Sequence, residues 1–118
     1  GMHVGLGSDV AAGSSLNMFA AMRQALQASK MRWRIQDKTQ KPLTLEEVFY
    51  MATRGGGEFF GKVGSFEPGY EFDAVVLDDS RLRHPQPLDL KSRLERMIYL
   101  ADERDIRAKF VKGQEVRL

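Results

Sequence analysis

Apolar positions along the chain fall into three helical stripes and a few short runs. Leu16, Phe19, Met22 and Leu26 recur near helical spacing and predict an amphipathic helix through about Met31, with Arg23, Gln24 and Gln27 on the other side. Gly13-Ser14-Ser15 punctuates the chain just ahead, and either serine can cap that helix. Lys38 to Pro42 reads as a polar loop. Leu43-Thr44-Leu45-Glu46-Glu47 then carries a capping box, with Thr44 as the cap and Glu47 three residues on. Leu45, Val48, Phe49 and Ala52 make the buried stripe of this second helix. Gly55-Gly56-Gly57 weakens it, since each glycine costs about 1 kcal/mol against alanine in a helix interior. Close approach of another backbone is the structural reason to tolerate them. Phe59 and Phe60 resume the apolar face, and Gly61 is a natural stop.

Pro68-Gly69 predicts a turn. Phe72 to Leu77 is the clearest strand, ended by Asp78 and Asp79; apart from Asp73 it is apolar on both faces, which predicts a covered, central position. Leu90, Leu94, Met97, Ile98 and Ala101 mark a third helix. Arg107 to Val111 and Gln114 to Arg117 flank Lys112-Gly113, a pair suited to a two-residue hairpin turn. Val4 to Gly7 is a short strand candidate at the start. The chain therefore reads as α+β: three helices and a small, mostly antiparallel sheet, preceded by one orphan strand. It contains no internal repeat and no low-complexity tract.

Composition narrows the functional classes. With 118 residues, 42% hydrophobic and 29% charged, the chain is one ordinary globular domain's worth of sequence. A net charge of +2 from interspersed residues offers no basic stripe for nucleic acid. The one cluster of that kind, Arg32-Trp33-Arg34, is read as a solvated helix end. The absence of cysteine excludes disulfides and thiolate metal sites. No apolar run approaches the roughly 20 residues of a membrane span, and no signal-peptide pattern opens the chain, so the default expectation is a cytoplasmic protein. Gly1 ahead of Met2 reads as a residue left by tag removal.

The stretch with most chemical content is Gly5-Leu6-Gly7-Ser8-Asp9-Val10-Ala11-Ala12-Gly13. An apolar strand end runs into glycines, presents one carboxylate, and leaves through small residues toward a helix. From spacing alone, an Asx-turn or cap role is the favoured reading of Asp9. Gly55 to Gly57 lack the preceding strand and following lysine of a phosphate loop, which leaves packing as their reading.

Four blocks give the chain a resemblance over nearly its whole length to the C-terminal part of the metal-dependent amidohydrolases, and within them to the guanine deaminases. The first is Val4 to Gly13, similar to the family's eighth-strand segment, with Ala12 where a second glycine is common. The second is Leu43 to Thr53, similar to a helix after the barrel. The third, Val63-Gly64-Ser65-Phe66-Glu67-Pro68-Gly69-Tyr70-Glu71-Phe72-Asp73-Ala74-Val75-Val76, is similar to the return into a small β domain that both ends of the family's chain build together. The fourth, Tyr99-Leu100-Ala101-Asp102-Glu103-Arg104-Asp105-Ile106, resembles a segment typical of guanine deaminases.

The resemblance implies a fold in which residues 1–61 supply the last strand and following helices of a (β/α)8 barrel, and 62–118 the C-terminal part of the small β domain with a helix. A full barrel takes roughly 250 residues, more than this chain holds. It also implies zinc-dependent hydrolytic deamination of guanine to xanthine and ammonia, with Asp9 as catalytic residue and metal ligand. A catalytic zinc ion commonly takes three protein ligands plus water. The family's histidine ligands and its proton-shuttling glutamate lie upstream of the matching segment. His3 and His84 match no ligand position, so the isolated chain is expected to bind zinc poorly and to be inactive. Leu16, Phe19, Phe49 and Phe59 are candidate barrel-facing residues that a lone chain would expose, which predicts a homo-oligomer. The alternatives are a noncatalytic self-associating or protein-binding module of amidohydrolase descent, or part of an amidohydrolase for another cyclic amidine or a triazine.

Overall fold

The computed structural model describes residues 2–13 and 15–117; a capping role for Ser14 lies outside them, as does Gly1. Helix α1 spans Met18–Ile35 and is capped by Asn17, whose Oδ1 accepts from the amides of Phe19 at 2.8 Å and Ala20 at 3.3 Å. Ser15 acts one step earlier: its Oγ accepts from the Asn17 amide at 3.0 Å. The helix outruns the expected end at Met31 and finishes in an exposed turn carrying Arg32, Trp33 and Arg34, where cations suit the negative end of the helix dipole.

Helix α2 (Leu45–Ala52) begins with the expected capping box: the Glu47 amide donates to Thr44 Oγ1 at 3.3 Å and the Thr44 amide to Glu47 Oε2 at 2.7 Å. It ends at Ala52 rather than running through the glycines. The Thr53 hydroxyl donates back to the Phe49 carbonyl at 2.7 Å, a local bond that competes with helix continuation. A one-turn helix α3 (Arg54–Gly57), a 3-10 turn at Glu58–Phe60 and the positive φ of Gly61 follow.

Strands β1 (Ala74–Leu77), β2 (Ile106–Val111) and β3 (Gln114–Val116) form an antiparallel sheet in that order, with Ala74 opposite Phe110 and Val111 opposite Gln114. Lys112 and Gly113 turn the β2–β3 hairpin at φ 51° and 77°, as their sequence predicts. The turn is held from β1's side: the Lys112 amide donates to Asp73 Oδ1 at 2.7 Å and the Gly113 amide to the Phe72 carbonyl at 2.9 Å. The one polar residue in the apolar run is thus the hairpin's acceptor.

Two strand expectations need correction. β1 is an edge strand, not a central one, and Val75 and Val76 are 53% and 44% exposed. A strand apolar on both faces needs cover on both, and among the described residues the helices pack on each other instead. Val4 to Gly7 belongs to no strand ladder. Ladder status requires a neighbouring strand, and none of the described strands pairs with it.

The core lies between the helices. α4 (Leu90–Leu100), capped by Asp89 at 2.7 Å from the Ser92 amide, packs on α1, which also packs on α2. Val48 and Ile98 are fully buried together with Met22 and Leu26, and Leu6, Leu43, Met51 and Leu94 close around them. Phe19, expected to face an absent barrel, packs against this cluster because it lies one turn before Met22; Leu16, Phe49 and Phe59 are exposed. Arg23 crosses from α1 to the end of α4 and donates to the Ile98 carbonyl at 3.0 Å and the Tyr99 carbonyl at 3.2 Å.

Bundle and sheet are joined at Asp105, which is 1% exposed. Arg81 grips its carboxylate with two bonds, Nε to Oδ1 at 3.0 Å and Nη2 to Oδ2 at 2.8 Å, and the Asp102 amide adds a third at 2.9 Å. The Asp105 carbonyl accepts from the Asp78 amide at 2.8 Å, which ties the end of β1 to the start of β2. Arg81, then the Asp102 amide, holds the Asp105 carboxyl below its ordinary 3.8. No helix among the described residues is long and apolar enough to cross a membrane.

Two outcomes follow from this packing. Ile98→Ala is expected to destabilise the fold by about 3 kcal/mol in denaturant titration through the cavity it leaves, whereas exposed Leu90→Ala on the same helix should cost less than about 0.5 kcal/mol. A carboxyl depressed in the folded state stabilises above its unfolded pKa and loses that contribution as pH falls through the folded one. Thermal unfolding followed below pH 4 should therefore show stability falling with acid, and Asp105→Asn should be less stable at pH 7 with a flatter acid limb.

Candidate active site

Residues 4–6 pass across α2 and α3. One backbone bond fixes the segment, from the Leu6 amide to the Met51 carbonyl at 2.9 Å. The glycines supply the rest. A Cβ on Gly5 would stand 2.8 Å from Gly56 Cα, and one on Gly55 would stand 2.9 Å from the Val4 carbonyl oxygen. Close backbone approach is the role predicted for the Gly55–Gly57 run; the partner of Gly55 and Gly56 is the segment that leads to Asp9, and that of Gly57 is Val63. Leu6 completes the attachment by packing against the helical core.

Beyond Gly7 the chain turns sharply. Asp9 takes φ 47°, which aspartate tolerates better than most residues, and Ala11 takes φ 95°, which alanine does not favour. The Asp9 carbonyl accepts from the Gly13 amide, and Val10 bridges to Gly13. A side chain at Gly13 would overlap the Ser8 carbonyl oxygen, so the turn depends on that glycine. Asn17, not Asp9, caps α1. The Asp9 carboxylate is exposed and has no hydrogen-bond or ion-pair partner among the described residues.

The two histidines lie elsewhere in the hydrogen-bond network. His3 Nδ1 is 2.5 Å from Glu58 Oε2, and the other oxygen of Glu58 accepts from the Tyr50 hydroxyl at 3.0 Å. That hydroxyl and His3 hold the Glu58 carboxyl below its ordinary value. His84 is exposed, with its Nδ1 engaged by the backbone of Gln86 in the same loop. Among the described residues no three His, Cys, Asp or Glu side chains gather as a metal site. The donor set therefore fits a zinc ion only as one carboxylate of a larger set. These residues support no catalytic step through a metal by themselves.

The fourth sequence block has a structural function that sequence reading missed. Asp102 and Asp105 form a capping box around the 3-10 turn Glu103–Asp105, and Arg104 pairs with Asp102 through Nε at 2.9 Å and Nη2 at 2.5 Å. The Arg104 guanidinium holds the Asp102 carboxyl well below the usual range. Asp102 spaced three before Asp105, the capping-box interval, was the available signal.

The amidohydrolase family model matches residues 1–116. Human guanine deaminase is 36% identical over 126 residues, covering 96% of this chain and 27% of that protein. Escherichia coli guanine deaminase is 32% identical over 121 residues, covering 96% and 26%. Among solved structures, guanine deaminase from C. acetobutylicum with guanine bound in its active site superposes with a TM-score of 0.91 at 50% identity, covering 97% of this chain and 27% of that one. The E. coli enzyme gives a TM-score of 0.81 at 31% identity. The chain thus spans about a quarter of the length of the relatives it matches. A match along nearly every residue, in both sequence and backbone, means that the chain belongs to the amidohydrolase family, with guanine deaminases as homologues.

Proposed function

We propose that these residues form the C-terminal portion of a guanine deaminase, in which residues 1–61 complete the barrel and 62–118 contribute to the small β domain. The reaction is the hydrolytic exchange of guanine's exocyclic amino group for oxygen: guanine and water give xanthine and ammonia. What supports this reading is the presentation of Asp9. A docked segment ends in a strained turn whose carboxylate has, among the described residues, no cap role, no Asx bond and no ion pair. Strained backbone of this kind concentrates at functional sites.

Zinc, when bound, lowers the pKa of water so that hydroxide is available near neutral pH. In this proposal Asp9 would be one of the residues that hold the metal ion, and its carboxylate would help move a proton toward the leaving nitrogen. Gly5, Gly55 and Gly56 let the segment that carries it lie close against α3. The histidine ligands come from outside these residues, so the chain by itself is inactive and holds zinc weakly. A cytoplasmic location fits purine catabolism.

A second reading, a noncatalytic self-associating module, is favoured by one observation: Leu16, Phe59, Phe60 and Phe66 are each more than 70% exposed. Sedimentation of the chain alone would then show a homo-oligomer at micromolar concentration.

Guanine-to-xanthine conversion by the purified chain with added zinc tests the first reading, with Asp9→Ala beside it. The expected result is no turnover by either. Turnover that vanishes in the Asp9 variant would mean that the chain assembles a metal site unaided, and would overturn the account of the missing ligands.

A further inference from the structure

Leu6 lies midway between His3 and Asp9, three residues from each. A single backbone bond at Leu6 lets the segment pivot about that point, so the direction in which Asp9 leaves depends on what holds the other end. His3 is the upstream tie: its Nδ1 lies 2.5 Å from Glu58 Oε2. Glu58 is itself held from behind, because the Tyr50 hydroxyl of α2 donates to its other oxygen at 3.0 Å. Arg54, the other cation acting on Glu58, is paired with Glu67 at 2.8 Å. Gly55 lies between the two halves of the tie, since a Cβ there would stand 2.9 Å from the Val4 carbonyl oxygen and 3.0 Å from Tyr50 Cε1. Surface ion pairs are weak in part because two long side chains must be ordered to make them. Here one partner is already ordered, which removes part of that cost.

We propose that Glu58 is a positioning residue for Asp9: it accepts from Tyr50 on one oxygen and from His3 on the other, and so fixes the upstream end of the segment whose downstream end presents the Asp9 carboxylate. What Asp9 does once presented rests on the deaminase reading, whereas its placement is measured without zinc or guanine. The tie has a required polarity. The Tyr50 hydroxyl, then His3, holds the Glu58 carboxyl below its ordinary value, so it is ionised and offers acceptors only. The Tyr50 hydroxyl, pushed above its ordinary range by its bond to Glu58, stays a donor. His3 must therefore carry a proton on Nδ1, the nitrogen that faces the carboxylate.

Amide exchange at Leu6 in the 118-residue chain, read against Met22 and Ile98, tests the tie. Glu58→Gln keeps one acceptor oxygen where two are needed. His3→Ala removes the tie from the other side, and since the His3 side chain is 79% exposed, core packing is untouched. Each substitution is expected to speed Leu6 exchange at least about threefold, the scale of a part-exposed ion pair, with Met22, Ile98 and the melting temperature unchanged. In the His3→Ala background Glu58→Gln should add little, because the two act through one bond. Ring 15N shifts at about pH 9 should show the His3 proton on Nδ1 in the native chain. Leu6 exchange indifferent to Glu58→Gln overturns the proposal. So does an acceleration that persists in full without His3, which would confine the effect of Glu58 to α2 and α3. Equal acceleration at Met22 and Ile98 means a general structural role and overturns it as well, as does a His3 proton on Nε2 alone. None of these readouts involves zinc or turnover, so the deaminase reading stands or falls separately.

Discussion

The approach of Gly5 to Gly56, backbone against backbone, is the constraint on which the rest of the site depends. A Cβ on Gly5 would stand 2.8 Å from Gly56 Cα, closer than any side chain can be placed without moving the segment. Because Gly5 and Gly55 both lack a side chain, the segment can lie directly on α3. The Leu6 amide then reaches the Met51 carbonyl, and the Leu6 side chain reaches the core. Asp9 is three residues beyond Leu6. Its placement is therefore set by helix packing, not by its own side chain, and the carboxylate is left uncommitted. The glycines that weaken the helix are what allow it to carry this segment.

The same logic of local cost for distant order recurs at Asp105. A carboxylate removed from water destabilises unless its charge and lone pairs are matched. Arg81 supplies a forked pair of bonds and the Asp102 amide a third. That arrangement fixes how β2 leaves the bundle and, through the Asp78 amide, where β1 ends. Arg23 braces the same junction from α1 by occupying the carbonyls that α4 leaves open at its C-terminus. A segment recognised by its likeness to guanine deaminases is thus first of all a hinge point of the architecture.

What was legible in the sequence was local. Thr44 and Glu47 form their capping box, Lys112-Gly113 makes its hairpin, and the Met22–Leu26 and Val48 stripes become the core, because each signal is complete within a few residues. The misses are nonlocal. Phe72 to Leu77 predicts a covered strand, and its composition fits that role, but among the described residues Val75 and Val76 are left exposed and β1 is an edge. Thr53 ends α2 by bonding its own helix, a competition that apolar periodicity does not register. Asn17 outcompetes Ser15 as cap because its amide oxygen reaches two amides at once. Of the site, the close backbone approach at the glycine run was readable. The identity of the backbone that meets those glycines, and the coupling of Arg81 to Asp105 across 24 residues, were not.

Amide hydrogen exchange at Leu6 tests the central claim most directly. If the Gly5–Gly56 contact holds the segment that bears Asp9, the Leu6 amide is protected in the native chain. Gly5→Val should then abolish that protection while the amides of Met22 and Ile98 keep theirs. A Leu6 amide that exchanges at the rate of free peptide in the native chain would contradict the account, because Asp9 would then stand on a segment that nothing holds.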